Sequence, residues 1–387
     1  MATHPQTIIG KTATPHAGAA HQPLGELEVI AEFHGAMPTG VTVSHQGRIF
    51  VNFPRWGDDV PFTVAEVRDG HATAYPDEAI NRVDGDPAIC FVSVQSVVVD
   101  PHDRLWIVDT GNPGFAGVVA GGAKIVCVDL AKDRAVRSIA FPPNVVLPTS
   151  YLNDVRFDLD RGAEGMAFIT DSSNSGPNGI LVVDLASGQS WRRLHDHPTT
   201  KALSLRDFRP LVEGRPFLEP GPDGTVGTTK VGADGIAISA DGARLYYCPL
   251  ASRRLYSVDT NALADRALDD AAVGRTVRDE GDKGGAADGL ESDAAGNVYA
   301  TNYEQDAITR RRSDGQWETV AHDPRLLWPD TLCVAGDGYL YVIANQIHRM
   351  ALFHNGQDLR RKPYILFRVW IDAKPVRLSR RSVPQAS

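Results

Sequence analysis

Apolar and polar residues alternate with a period of two along most of this chain, the pattern of half-buried β-strands. The alternation breaks at short turn-rich stretches and then restarts. Six restarts read alike: TGVTVS at 39–44, QSVVVD at 95–100, NDVRFD at 153–158, DGIAIS at 234–239, DGLESD at 288–293 and DTLCVA at 330–335. Each has one or two polar residues, a strand, a turn and a second strand. The turns carry hairpin chemistry: Gly47 tolerates positive φ, Pro101-His102-Asp103 closes the second unit, and Ala240-Asp241-Gly242 closes the fourth. A strand at 27–33 (LEVIAEF) precedes the first unit, and one at 363–372 (PYILFRVWID) follows the last. Helical periodicity is scarce; only 261–273 predicts a short surface helix or helical loop.

The polar positions that start the units are Thr39, Gln95, Asn153, Asp234, Asp288 and Asp330, spaced 42 to 81 residues apart. Each interval holds a four-stranded sheet with its loops, the roughly 40–50 residues of a propeller blade. A parallel α/β fold would need a crossover helix where these intervals offer hairpin turns, and a sandwich gives no reason for the repeat. The fold predicted is all-β: a six-bladed β-propeller with four-stranded antiparallel blades. It occupies 27–376 as one domain, between a loose tail at 1–26 and a short one at 377–387.

Charge narrows the partners. The chain of 387 residues has 39 Lys and Arg against 48 Asp and Glu, a net −9. Nucleic acid binding wants clustered cations, and Arg310-Arg311-Arg312 and Arg360-Arg361-Lys362 are too short to supply them. No apolar run reaches the ~20 residues of a membrane span. The expected partner is a small cyclic molecule, with no nucleic acid and no membrane, and the protein is expected to be a monomer or weak homo-oligomer. The first 26 residues lack a basic start followed by an apolar core, so they are not read as a secretory signal; a leader removed earlier would leave the same sequence, and the compartment stays open. Cys90, Cys127, Cys248 and Cys333 are scattered, without metal-ligand spacing, and are read as free buried thiols.

In a propeller the six strand starts gather at one mouth of a central channel. Asn153, Asp234, Asp288 and Asp330, with Gln95 and Asp154 nearby, would then offer only oxygen ligands. Such a set suits a hard divalent cation, Ca²⁺ ahead of Mg²⁺, rather than zinc. The cation could polarise a carbonyl and hold a water, with Asp234 or Asp288 as base; Asp154 is a further candidate for proton transfer. Asp-Gly before a strand is also ordinary turn chemistry, so Asp234, Asp288 and, by the same reading, Asp330 have a purely structural reading beside the functional one. Asn153-Asp154, not followed by Gly, lacks that explanation. Thr39, Gln95, Phe91, Tyr151, Tyr303 and Trp328 lie near strand starts and are candidate walls of a pocket for a cyclic ligand, with core packing as the alternative for each aromatic. His195-Asp196-His197 reads as surface loop, and Arg55-Trp56 as packing.

Several ordered blocks resemble the Yellow/major royal jelly protein family: GRIFVNFPRWGDDVPFTVAEV, DRLWIVDTG, SYLNDVRFD, FITDSSNSGPNGILVVDLASGQSWRRLHDHP, DGIAISADGARLYYCPLASRRLYSVDTNAL and LLWPDTLCVAGDGYLYVIANQIHR. They cover roughly 45 to 350. The resemblance implies a six-bladed propeller related to gluconolactonases, paraoxonases and strictosidine synthases. Insect members typically carry a Cys in the turn before the RLW block, where this chain has Pro101-His102-Asp103; the departure implies a microbial-type relative without that disulfide. The lactonases are similar at Asn153-Asp154 and at a later acidic strand start, but their first-blade Glu corresponds to Thr39 here.

Three functions follow as expectations, in this order. The first is a cation-assisted hydrolase of a lactone or related cyclic ester. The second, implied by the resemblance, is an isomerase or tautomerase of a cyclic catechol-derived quinone. The third is a non-enzymatic binder of small amines or other ligands.

Overall fold

The computed structural model describes residues 23–221 and 224–379; residues 1–22 and 380–387, most of the two expected tails, lie outside the described residues. Six four-stranded antiparallel sheets form the ring of a β-propeller. Their innermost strands are Gly40–Val43, Val94–Val99, Leu152–Asp158, Ala233–Ile238, Leu290–Ser292 and Pro329–Val334, one for each of blades 1 to 6. Each touches the innermost strand of the next blade, and blade 6 returns to blade 1. The ring is closed by the two ends of the chain: Leu27–Phe33 forms the outermost strand of blade 6, paired antiparallel with Tyr364–Trp370.

The alternating pattern works because each sheet is covered on both faces by its neighbours. Trp106, Val108 and Ile125 of blade 2 pack on Val155, Phe157 and Ile169 of blade 3, all buried. Residues that point along the axis rather than into these layers are therefore free to be polar. The interval from Asn153 to Asp234 is the longest because a segment at 198–232 carries two small ribbons, Leu211–Val212 with Arg215–Pro216 and Glu219–Pro220 with Val226–Gly227, between blades 3 and 4. The helical expectation at 261–273 resolves into two single-turn helices, Thr260–Ala264 and Asp270–Gly274, capped by Asp259 and Asp269. All four cysteines are free, three of them buried. Among the described residues no helix is long and apolar enough to cross a membrane.

Two devices aim the strand starts at the axis. Register shifts at Val94/Ser96, Leu152/Val155, Ala233/Ile236 and Pro329/Leu332 place β-bulges at the polar positions of blades 2, 3, 4 and 6. A bulge interrupts strict alternation and re-aims a side chain. In several blades an Asn or Asp at or just past the end of the second strand ties down a strand start. Asp109 accepts from the backbone N–H of Val92 and Ser93, Asp171 from that of Tyr151, and Asn345 donates to Asp330 Oδ2 at 2.6 Å.

The Asp-Gly pairs that start the strands of blades 4 and 5 are not turns. Asp234-Gly235 lies within a strand and Asp288-Gly289 immediately before one. A Cβ on Gly235 would sit 2.5 Å from the Asp288 carbonyl oxygen, and one on Gly289 would sit 2.3 Å from that of Asp330. Glycine is needed there so that successive blades can meet closely at the axis.

Candidate functional site

A cavity of about 510 Å³ opens at the mouth where the strands start. It brings together Gln95, Tyr151, Asn153, Asp234, Asp288, Trp328 and Asp330 from blades 2 to 6. The other expected site residues lie elsewhere. Thr39 is sealed off, its hydroxyl accepting from Asn52 Nδ2 at 2.8 Å. Phe91 is in the apolar layer between blades 1 and 2. Tyr303 is buried behind Trp328, ring centroids 4.1 Å apart, and donates its hydroxyl to the Leu250 carbonyl. Asp154 does not line the cavity; it is ion-paired with Arg156 Nη1 at 2.7 Å and accepts from Ser96 Oγ at 2.6 Å.

The cavity has further walls that pattern reading passed over: Trp56, Asp58, Phe115, Phe217, Glu219, Phe353 and Arg360. In an antiparallel blade, the loop from the second to the third strand returns to the end where the first strand begins. Trp56 and Asp58 come from that loop in blade 1, Phe115 from blade 2, and Phe353 and Arg360 from blade 6. Phe217 and Glu219 come from the 198–232 segment. The usable signal was the arginine-aromatic and glycine-rich character of these loops. Trp56, read as packing, forms with Phe115 and Tyr151 an aromatic wall in which Phe115 and Tyr151 stack at 4.0 Å. Phe217, Trp328 and Phe353 form another. At the rim Arg360 bonds both Asp58 and Asp358.

At the base, the carboxyls of Asp234 and Asp288 are buried neighbours, and the Asp288 charge raises the Asp234 pKa. Two like charges buried side by side disfavour each other, so the pair favours a state with fewer than two charges. Burial drives both above the ordinary carboxylate range, and the nearby charges of Asp288, Asp330 and Asp154 raise Asp234 further. Asp288 is pushed up to about 6, held from going higher by the Trp328 indole N–H, which donates to its Oδ2 at 2.6 Å. Asp330 is also raised well above normal, by burial first and then by Asp288.

Trp328 is held to that task at some expense. Its φ is +56°, a left-handed conformation unfavourable for a bulky side chain. Its indole is stacked between Tyr303 and His348, and His348 is fixed by Glu213 at 2.8 Å. Trp328→Phe keeps the stack and removes the donor, a charge-assisted bond worth about 1.5–3 kcal/mol. The expected result is a rise of the Asp288 pKa above about 6, read by carbon-13 titration of the aspartate carboxyls; an unmoved titration would mean that the indole only packs.

A hard-cation site was tested against this arrangement. The donors are all oxygen, as such an ion requires. Yet Asn153 turns its amide N–H, not its oxygen, toward Asp234 Oδ1, Trp328 occupies Asp288 Oδ2, and Asn345 occupies Asp330 Oδ2. Among the described residues no three His, Cys, Asp or Glu side chains are grouped to hold a metal ion. One oxygen of each carboxylate is thus taken by an N–H donor, and the described residues present no grouped cation site.

Comparison with known proteins places the fold and the family. The fold is similar to a gluconolactonase from Xanthomonas campestris, with TM-score 0.54, 15% identity, and 92% and 93% of the two chains covered. It is also similar to the calcium-binding protein regucalcin from Agrobacterium tumefaciens, with TM-score 0.52, 15% identity, and 91% and 98% covered. At these identities the likeness is one of fold. In sequence the chain is 30% identical over 266 residues to protein yellow of Drosophila subobscura and 29% identical over the same length to that of Drosophila melanogaster. The first match covers 65% of this chain and 44% of the relative, so the chain spans less than half the length of the curated relatives it matches. Residues 92–369, blade 2 through blade 6, match the sequence model of the major royal jelly protein family, and the chain belongs to that family.

Proposed function

We propose that this protein hydrolyses a lactone or a related small cyclic ester with the Asp234–Asp288 pair as its acid and base. One observation carries the reading: two neighbouring buried carboxyls, both raised above the ordinary carboxylate range, lie at the base of an open, aromatic-walled cavity. Like charges in contact cannot both ionise, and the resulting half-protonated pair supplies a base and an acid together. Ionised Asp288 takes a proton from a water whose oxygen attacks the ester carbonyl carbon. The carbonyl π electrons move onto its oxygen. When they return, the ring C–O bond breaks and Asp234 gives its proton to the departing ring oxygen. The product is a hydroxy acid, and the pair is left with one proton, now on Asp288. The likeness to gluconolactonases supports the fold in which this occurs; the carboxyl pair supports the chemistry.

A divalent cation, calcium before magnesium, was the finer expectation. Because one oxygen of each carboxylate already holds an N–H donor and the described residues present no grouped cation site, no step is routed through an ion. The test is a panel of five- and six-membered lactones assayed with and without EDTA. Hydrolysis is expected to survive chelation and to rise with pH through about 6 as Asp288 ionises. Loss of all activity on chelation would overturn the metal-free mechanism, and absence of lactone turnover would overturn the hydrolase reading. A second reading, isomerisation of a cyclic catechol-derived quinone, is favoured by the aromatic walls, which suit a flat ring. Conversion of an aminochrome without lactone hydrolysis would select it.

A further inference from the structure

We propose that Gln95 is the carbonyl-binding residue of this site, presenting its amide N–H₂ to the carbonyl oxygen of the bound ring. The inference rests on the lactone reading and adds to it the group that receives the oxyanion.

The orientation of the Gln95 amide follows from a chain of hydrogen bonds whose direction is set at one end. An indole N–H can only donate. Trp56 Nε1 lies 2.7 Å from the Tyr151 hydroxyl, so the tyrosine oxygen accepts there. Its single hydrogen is then available to Gln95 Oε1, 3.0 Å away. The amide oxygen thus faces Tyr151, and the nitrogen faces the other way. Gln95 is 5% exposed and lines the cavity. Its Nε2 has no acceptor among the described residues, and it is not one of the polar atoms sealed from solvent without a partner. The nitrogen therefore reaches the cavity with both hydrogens unpaired.

Its place in the ring matches the role. In six blades, blade 2 stands opposite blade 5, so Gln95 faces Asp288 across the axis. A ring carbonyl set between them would have its oxygen on the Gln95 N–H₂ and its carbon open to a water activated by Asp288. Tyr151 is rigid, stacked on Phe115 at 4.0 Å with a 16° angle between ring planes. A donor held before the charge develops needs no reorganisation as the oxyanion forms. Trp56 and Tyr151 are positioning residues; Gln95 touches the substrate.

The test uses the full-length protein and a lactam, which keeps the carbonyl and resists hydrolysis. The infrared carbonyl stretch of the bound lactam is expected at lower frequency than in water-free solvent. The shift should vanish in Gln95→Leu, vanish also in the near-isosteric Gln95→Glu, and split or weaken in Tyr151→Phe. With a hydrolysed lactone, Gln95→Leu should lower kcat about 10²- to 10³-fold with little change in KM. An unshifted carbonyl in the wild type, or a shift that persists in both Gln95 variants, overturns the inference. Activity that falls with Asp288→Asn but not with Gln95→Leu overturns it while leaving the hydrolase reading intact. If no lactone is turned over, the hydrolase reading fails and the lactam spectrum still decides the role of Gln95.

Discussion

Replacing Asp288 with asparagine is expected to cut turnover about 10³-fold and to make the fold more stable at pH 7. The first half follows from removing the base, since a carboxamide cannot take a proton from water at any working pH. The second follows from linkage. The folded-state pKa of Asp288 is raised from 3.8 to about 6, chiefly by burial. Between those values the folded state binds more protons than the unfolded one, so stability falls as pH rises through that window and stays reduced above it. The loss is on the order of 3 kcal/mol. The carboxamide of the Asp288→Asn variant carries no charge to bury and keeps an oxygen for the Trp328 N–H, so the variant escapes the loss. Thermal unfolding from pH 4 to 8 checks this: wild type should lose stability between about 4 and 6, and the variant should lose less. A variant less stable than wild type at pH 7 would show that Asp288 is a structural group. The combined signature, higher stability with lost turnover, is what a site strained for chemistry predicts.

Most of the ring was legible in the sequence because a propeller writes its repeat into strand periodicity and turn chemistry. The convergence of Gln95, Asn153, Asp234, Asp288 and Asp330 was legible for the same reason: equal positions in equal blades share one mouth. Two things were hidden. The Asp-Gly pairs looked like turns, because a glycine needed for positive φ and one needed for close approach are the same letter; only packing shows that Gly235 and Gly289 meet the next blade's carbonyl. The walls were hidden because Trp56, Phe115 and Phe353 sit in irregular loops that carry no period. That these loops return to the mouth follows from antiparallel pairing, and the inference could have been made from the six strand starts alone. The cation expectation came from counting oxygens. Which oxygens already hold a hydrogen depends on Asn153, Trp328 and Asn345, and that is a matter of orientation, not composition.

Asp154 is where the two strongest sequence signals part company, and Asp154→Ala is expected to destabilise the fold by about 3–5 kcal/mol. Asn153 and Asp154 are adjacent, but the bulge sends them to different tasks: Asn153 to the cavity, Asp154 to Arg156 in the interior of the ring. Arg156 is buried, with Nη2 on the Leu290 carbonyl and Glu291 3.5 Å away, while its Nε has no partner. Deleting Asp154 removes its closest counter-charge and the acceptor of Ser96. The urea midpoint should drop without a change in slope. The double variant Asp154→Ala/Arg156→Met, which removes both charges, should recover much of the loss, because a buried pair replaced together is often near neutral. That double variant also separates structure from chemistry. If Asp154 serves only to neutralise Arg156, the refolded double variant hydrolyses its substrate at close to the wild-type rate, with the acidic limb set by Asp288 near its wild-type position, since Asp154 is not among the groups that shift Asp288. If Asp154 moves protons for the reaction, the double variant folds and is inactive.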